Sequence, residues 1–191
     1  AGNLKEFWDQ WRTTPRIIGG CIWEFKDQGL EKTDSAGVKY YAYGGDYGEK
    51  YFDNFTIKGV VNADGKPKGV MEECKRIFQP IECEWLGNKI KITNRSNTTN
   101  VNKYNCIFIL KEDGWNVLKK AITGLDIQPG KDSIIDVTAL LPALKSGAAY
   151  HLNMRFTFKD STAWADKYFI IAENQFEIQK ETKTTAGPSF A

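Results

Sequence analysis

Residues 16–28 read RIIGGCIWEFKDQ, and this stretch is the strongest indication of the fold. Apolar side chains fill most positions from Ile17 to Phe25. That pattern predicts a β-strand over residues 17–25 that is buried on both faces, as in a parallel sheet or barrel. The Gly19-Gly20 pair inside the run indicates a bend or a close backbone approach.

An amphipathic helix is predicted immediately before this stretch, over residues 3–12. Its apolar stripe has the spacing i, i+3, i+4, i+7 and comprises Leu4, Phe7, Trp8 and Trp11. Asn3 is the expected N-cap, with Glu6 as its capping-box partner, and Pro15 should end the helix. A helix followed by a buried strand is the order of an (α/β)8 barrel.

The segment after residue 28 has no clear periodicity. Residues 29–50 are rich in glycine and aromatic residues and are predicted to form a long loop, which includes YGGDYG at residues 43–48. A short helix is expected over residues 70–78, with Cys74 on its apolar side.

From about residue 81 the apolar residues alternate with polar ones. The clearest case is residues 150–158, where every second side chain is apolar. About seven strands separated by turn signals are predicted between residues 81 and 180, which favours an immunoglobulin-like antiparallel β-sandwich. The expected organisation is a barrel remnant and connector at 1–80, the sandwich at 81–180, and a linker or frayed tail at 181–191.

The composition excludes several classes of function. The 26 Lys and Arg residues nearly balance 24 Asp and Glu, and this net charge of +2 gives no support for a nucleic-acid partner. No apolar run approaches the ~18 residues of a membrane span. The four cysteines form no CxxC pair or His cluster, so no metal site is predicted. A disulfide between Cys83 and Cys106 stays open, because spacing alone cannot establish it.

The motifs of the first half resemble those of β-galactosidases of glycoside hydrolase family 2. The matching pattern covers residues 3 to about 180, most specifically FW at 7–8, PR at 15–16, residues 19–28, residues 43–48, Phe55 and Gly59. KRIFQPI at 75–81, Trp164 and AENQF at 172–176 fit the same family less specifically. The resemblance implies the C-terminal end of a catalytic barrel followed by a sandwich domain, with most of the barrel preceding this chain.

The resemblance implies a retaining glycosidase that hydrolyses terminal β-galactosides. Such enzymes need two carboxylates about 5–5.5 Å apart, and both glutamates of this family lie before the segment seen here. Glu24 and Asp46 are not expected to replace them, since one carboxylate cannot form the pair. This chain should therefore contain no catalytic residue and be inactive alone.

Two substrate-binding residues follow from the resemblance. Trp23 matches the aromatic platform on which galactose stacks, whereas a buried core tryptophan is the alternative. Phe55 matches an aromatic residue beside a monovalent cation, which the family's Asn three positions later coordinates. Lys58 stands there, and its ammonium cannot ligate sodium. We therefore expect no cofactor in this chain, and Lys58 argues against the cation. Asp46 should anchor its loop through backbone hydrogen bonds.

A second hypothesis is a non-catalytic carbohydrate-binding or interaction module, with Trp85, Trp115 or Trp164 forming a surface patch. A row of aromatic residues on one sheet face would favour it, and aromatic residues buried between the sheets would favour the glycosidase hypothesis. The expected partners are a galactoside substrate and the rest of a glycosidase chain. An exposed barrel remnant could also pair with a second copy to form a dimer.

Overall fold

The structure, a computed structural model, describes residues 2–50 and 55–180. The chain divides into two compact units, Ala1–Phe78 and Gln79–Ala191. The tail predicted at 181–191 lies outside the described residues. No described helix has both the length and the apolar character needed to cross a membrane.

The regular elements of the first unit are short. They are α1 (Leu4–Thr13), β1 (Leu30–Thr33), β2 (Lys39–Ala42), a 3-10 turn (Gly44–Tyr47) and α2 (Val70–Ile77). The two predicted helices are confirmed. The predicted capping box of α1 is wrong, because Asn3 adopts a left-handed backbone with φ of 66° and its side chain caps nothing. The Asn3 carbonyl instead accepts the Phe7 N–H at 3.2 Å.

The strand predicted over residues 17–25 is not formed as a regular strand. Ile18, Trp23 and Phe25 are exposed rather than buried on two faces. Among the residues that the structure describes, only the end of the segment is paired: Glu24 to Asp27 exchange backbone hydrogen bonds with Val60 and Val61. A buried parallel strand needs neighbours on both edges and cover on both faces. In the described part of this unit, the segment has one short neighbour.

Residues 29–50 are not one loop, contrary to the prediction. Strands β1 and β2 form an antiparallel hairpin with Leu30 opposite Ala42. The turn depends on Asp34, whose Oδ1 accepts the backbone N–H groups of Ala36 and Val38, each at 2.8 Å. Local turn chemistry therefore forms the hairpin, and its mostly exposed strands lack the alternation that would have predicted it.

The second unit contains seven strands among its described residues, as predicted. They are β3 (Ile81–Trp85), β4 (Lys89–Asn94), β5 (Tyr104–Glu112), β6 (Trp115–Ile122), β7 (Asp132–Asp136), β8 (Tyr150–Phe158) and β9 (Ile170–Gln179). One sheet has the order β3-β4-β7 and the other β6-β5-β8-β9. All pairings are antiparallel. The predicted immunoglobulin-like sandwich is confirmed.

The core of the second unit lies between these two sheets. Phe108, Leu152 and Phe156 are fully buried there, on alternate positions of β5 and β8. The disulfide left open by the sequence is absent, since Cys83 and Cys106 are free thiols. Burial raises the pKa of the Cys106 thiol to about 12 and also raises the pKa of Cys83. Both are therefore protonated, unreactive core groups at neutral pH.

Side-chain hydrogen bonds connect the two sheets where β3 faces β9. The Asn174 Oδ1 accepts the Gln79 amide at 3.0 Å and the Cys83 backbone N–H at 3.2 Å. The Gln79 Oε1 in turn accepts the Glu173 backbone N–H at 3.0 Å. These buried polar groups take the place of backbone pairing between strands of different sheets.

Candidate functional site

The two predicted substrate-binding residues both lie on the surface of the first unit. Trp23 is 76% exposed and Phe55 is 63% exposed. The alternative of a core tryptophan is therefore wrong for Trp23 within this chain. Both residues are accessible to a ligand. Each is followed directly along the chain by residues whose backbone is hydrogen-bonded to another segment.

Backbone hydrogen bonds bring the segments of Trp23 and Phe55 side by side. The N–H groups of Val60 and Val61 donate to the carbonyls of Glu24 and Phe25 at 3.1 and 2.9 Å. The Asp27 N–H returns a bond to the Val61 carbonyl at 2.9 Å. The Gln28 N–H donates to Thr56 at 2.9 Å, so the residue following Phe55 is joined to the same segment.

Asp27 is the central anchor of this arrangement. Its Oδ1 accepts the Gly59 N–H and the Lys68 ammonium, both at 2.8 Å. The Asp27 side chain is only 8% exposed, and the cation of Lys68 compensates its partly buried charge. Sequence reasoning did not assign a role to Asp27 or Lys68, although Asp27 belongs to the quoted motif.

Gly59 is required by the close approach of two backbone segments. A Cβ on Gly59 would lie 2.3 Å from the Asp27 nitrogen and 2.7 Å from the Val61 oxygen. Both distances are far shorter than van der Waals contact, so no larger residue fits without moving the backbone. In the sequence, the match of Gly59 to the family motif was the one indication that this position has no room for a side chain.

Helix α1 supports the beginning of the same stretch. A Cβ on Gly20 would lie 2.5 Å from the Trp11 ring, so the backbone of the predicted Gly19-Gly20 bend packs directly on that ring. Trp8, one turn earlier on the helix, contacts the Phe78 ring edge at 4.7 Å between centroids. The close approach predicted from the glycine pair is confirmed at Gly20.

Two acidic residues that follow Trp23, Glu24 and Asp27, take part in structural hydrogen bonds. The Glu24 Oε2 accepts the Gln28 amide at 2.5 Å, and its Oε1 is buried without a hydrogen-bond partner among the described residues. Asp27 is held by Gly59 and Lys68. This geometry suits structural anchors: Glu24 bonds to Gln28, and Asp27 bonds to Gly59 and Lys68.

Asp46 anchors the second Gly-rich stretch, as predicted. Its Oδ2 accepts the Tyr43 backbone N–H at 3.0 Å across the 3-10 turn. The Lys32 ammonium donates to the Asp46 carbonyl at 3.1 Å and lies 4.4 Å from the centroid of the Tyr47 ring. The turn is thereby joined to the β1–β2 hairpin.

Lys58 lies close to Phe55. Its ammonium is 5.4 Å from the centroid of the Phe55 ring, within the range of a cation–π interaction. The described residues contain no cluster of three or more His, Cys, Asp or Glu side chains that could hold a metal ion. The cationic group that the structure shows beside Phe55 is the side chain of Lys58.

The three tryptophans of the second hypothesis have different environments. Trp85 stacks on Phe176 at 6.3 Å and packs against the sandwich core. Trp115, on β6, is 79% exposed, and Trp164, in the β8–β9 connection, is 70% exposed. Trp164 contacts the rings of Phe158 and Phe169. The three tryptophans therefore do not form one row on a sheet face.

Comparison with known families gives two matches that follow one another along the chain. The family described as "Glycosyl hydrolases family 2, TIM barrel domain" matches residues 1–83. The family described as "Beta-galactosidase, domain 4" matches residues 90–179.

Curated relatives agree with these two matches. The chain is 30% identical over 185 residues to a β-galactosidase of Priestia megaterium, an alignment covering 93% of this chain. It is 31% identical over 190 residues to a β-galactosidase of Photobacterium profundum, covering 96%. Each alignment covers 18% of the relative, so this chain spans less than a fifth of the β-galactosidases that it resembles.

Proposed function

The chain belongs to the family 2 glycosyl hydrolases, and on that premise we propose that it serves in the retaining hydrolysis of terminal β-galactosides. In this proposal Trp23 is the platform for the galactose ring and Phe55 lines the same site. The observation that carries it is the exposure of Trp23 next to a segment anchored by Asp27. The catalytic glutamates come from another part of the enzyme, and the sandwich has a structural role.

The anchoring of the segment supports the role of Trp23. An aromatic platform stabilises a transition state only if its position is set before the substrate arrives. The hydrogen bonds of Glu24, Phe25 and Asp27 to residues 59–61 hold the backbone just after Trp23. The ring itself is left free to contact a sugar.

The proposal is tested by assaying a chromogenic β-galactoside with two proteins. One is the product of the complete reading frame that encodes this chain, and the other is the 191-residue chain. We expect turnover by the complete product and none by the chain. Turnover by the chain alone would show that it holds its own catalytic carboxylates. A complete product without turnover would overturn the proposed activity.

Replacing Trp23 by alanine in the complete enzyme should lower kcat/KM by about 10- to 100-fold. Loss of the platform removes binding to both the substrate and the transition state, which corresponds to roughly 1.4–2.7 kcal/mol. Steady-state kinetics measure the effect. Phe7→Ala is the matched control, because Phe7 is also an exposed aromatic residue of the first unit. Equal losses in both variants would contradict the platform role.

We also propose that the Lys58 ammonium takes the place of the monovalent cation beside Phe55. The activity of the complete enzyme should then stay constant when sodium is replaced by a bulky organic cation. Lys58→Asn should make the activity depend on sodium, because it supplies an amide oxygen and removes the fixed charge. Lys66→Asn, which removes an ion pair with Asp64 instead, is the control. Sodium dependence of the unmodified enzyme would contradict this assignment.

The exposed apolar residues near Trp23 support a proposal about partners. Ile18, Ile22 and Phe25 are exposed on the first unit, more than a folded surface usually leaves uncovered in one short segment. We propose that the rest of a glycosidase chain covers them, and that a second copy does so when the 191-residue chain is alone. Light scattering of that chain over a range of concentrations measures the self-association.

A further inference from the structure

We propose that the sandwich carries a second carbohydrate site, formed by a cavity where β5 begins and β6 ends. The site is independent of the hydrolysis proposed above. The cavity has a volume of about 520 Å³, which is within the usual range for a small-molecule site. The side chains that the argument uses are Tyr104, Tyr168, Asn102, Asn105 and Lys159.

The lining of this cavity suits a sugar ring. Two tyrosine rings and the aliphatic side chains of Ile107, Ile122 and Leu125 give it an apolar wall. Asn102 and Asn105 supply side-chain oxygens and Lys159 supplies an ammonium group, and no carboxylate is among the lining residues. The Asn105 NH2 group itself donates to Thr157 and to the Phe158 carbonyl. A pyranose has one face of C–H groups and a rim of hydroxyls, so it can contact both kinds of surface at once.

Tyr168 is held at the cavity in a strained conformation. Its φ is 68°, a region that a bulky side chain rarely adopts. Its N–H donates to the Phe158 carbonyl, and the Phe158 N–H donates to Phe169, both at 3.1 Å, which fixes the backbone on either side. Tyr168 is nevertheless 63% exposed, so little burial offsets the strain. Strain of this kind is concentrated at ligand sites.

Further aromatic rings continue from the cavity along the surface. The Tyr104 ring, which lines the cavity, lies 5.7 Å from Phe158, and Phe158 lies 5.4 Å from the exposed ring of Trp164. Trp164 in turn contacts the half-exposed Phe169 at 5.6 Å. This surface extends beyond one cavity-sized ligand and could contact a second ring, which favours an oligosaccharide over a monosaccharide.

The polar groups argue for a sugar rather than a purely apolar ligand. The Lys159 ammonium donates to the Asn102 carbonyl at 2.6 Å, which leaves two of its protons for a ligand. An apolar occupant would remove these protons from water without replacing their hydrogen bonds. Sugar hydroxyls can accept from Lys159 and donate to the Asn102 side-chain oxygen.

The test is an NMR titration of the 191-residue chain with galactose, lactose and, as the apolar probe, indole. We expect lactose to shift the amide resonances of Tyr168, Tyr104 and Trp164, with a dissociation constant on the order of 1 mM, and galactose to bind more weakly. Tyr168→Gly should weaken lactose binding by about tenfold or more without lowering Tm, because glycine adopts a positive φ freely. Trp115→Ala, on β6, should leave binding unchanged.

Several outcomes would overturn the site. They are the absence of shifts at these resonances, equal lactose binding in Tyr168→Gly, or indole binding without sugar binding. The assay does not depend on hydrolysis, since the chain alone is expected to be inactive. Shifts confined to the first unit near Trp23 would support the platform and refute the second site.

Discussion

Gly59→Ala is expected to separate residues 24–27, which follow Trp23, from residues 59–61. The new Cβ would meet backbone atoms at 2.3 Å on Asp27, 2.6 Å on Lys26 and 2.7 Å on Val61. A backbone clash cannot be relieved by a change of rotamer, so the two segments must move apart. The backbone bonds of Glu24, Phe25 and Asp27 to residues 59–61 would be lost, at a cost of about 3 kcal/mol or more.

Amide hydrogen exchange of the 191-residue chain measures this effect at the bonds concerned. The N–H groups of Asp27, Val60 and Val61 should lose their protection, whereas amides of β5 and β8 should keep theirs. The matched control is Gly69→Ala, because that glycine has an ordinary φ of −53° and open space around its Cβ position. Unchanged protection in Gly59→Ala would show that the two segments are not in close contact.

Phe108→Ala is expected to lower the free energy of unfolding of the sandwich by about 3–5 kcal/mol. Phe108 is fully buried between the sheets and lies opposite Met154 on β8. Removal of its ring leaves a cavity, because β5 is held on both sides by β6 and β8 and cannot collapse into the space. Domains are stable by only about 5–15 kcal/mol, so much of the stability would be lost.

Urea denaturation followed by far-ultraviolet circular dichroism measures this loss. Trp115→Ala is the control for removal of a large aromatic residue from an exposed position of β6, and its effect should be within about 0.5 kcal/mol of zero. Phe108→Leu should have an intermediate effect, because it removes fewer atoms. An equal loss in Phe108→Ala and Trp115→Ala would contradict the sandwich core described here.

The comparison of prediction and structure is clearest at Trp23. The quoted motif identified this residue as a platform candidate, but the apolar run around it predicted a strand buried on two faces. The structure exposes Trp23 and pairs only residues 24–27 with residues 60–61. The apolar pattern shows that these side chains favour burial. It does not show which segment of a protein packs over them.

The opposite case is Asp46, whose anchoring role was predicted and is confirmed. Its partner is the backbone of Tyr43, three residues away. An interaction over so short a separation depends on local conformation, and the glycines at 44, 45 and 48 permit the tight turn that it needs. Asp27 was missed because its partners, Gly59 and Lys68, lie 32 and 41 residues further along the chain.

The seven strands of the second unit were predicted from residue patterns alone, and the family was indicated by the resemblance of the quoted motifs. Alternation places each side chain of β5 and β8 on one face or the other, and this depends only on neighbours along the chain. Only the tertiary structure, in contrast, shows that Asp27 pairs with Lys68 and that Gln79 bonds to Asn174 across 95 residues. It also places Tyr168 beside the cavity. These contacts arise when distant segments become neighbours, and burial and hydrogen bonding can then act between residues that no local pattern connects.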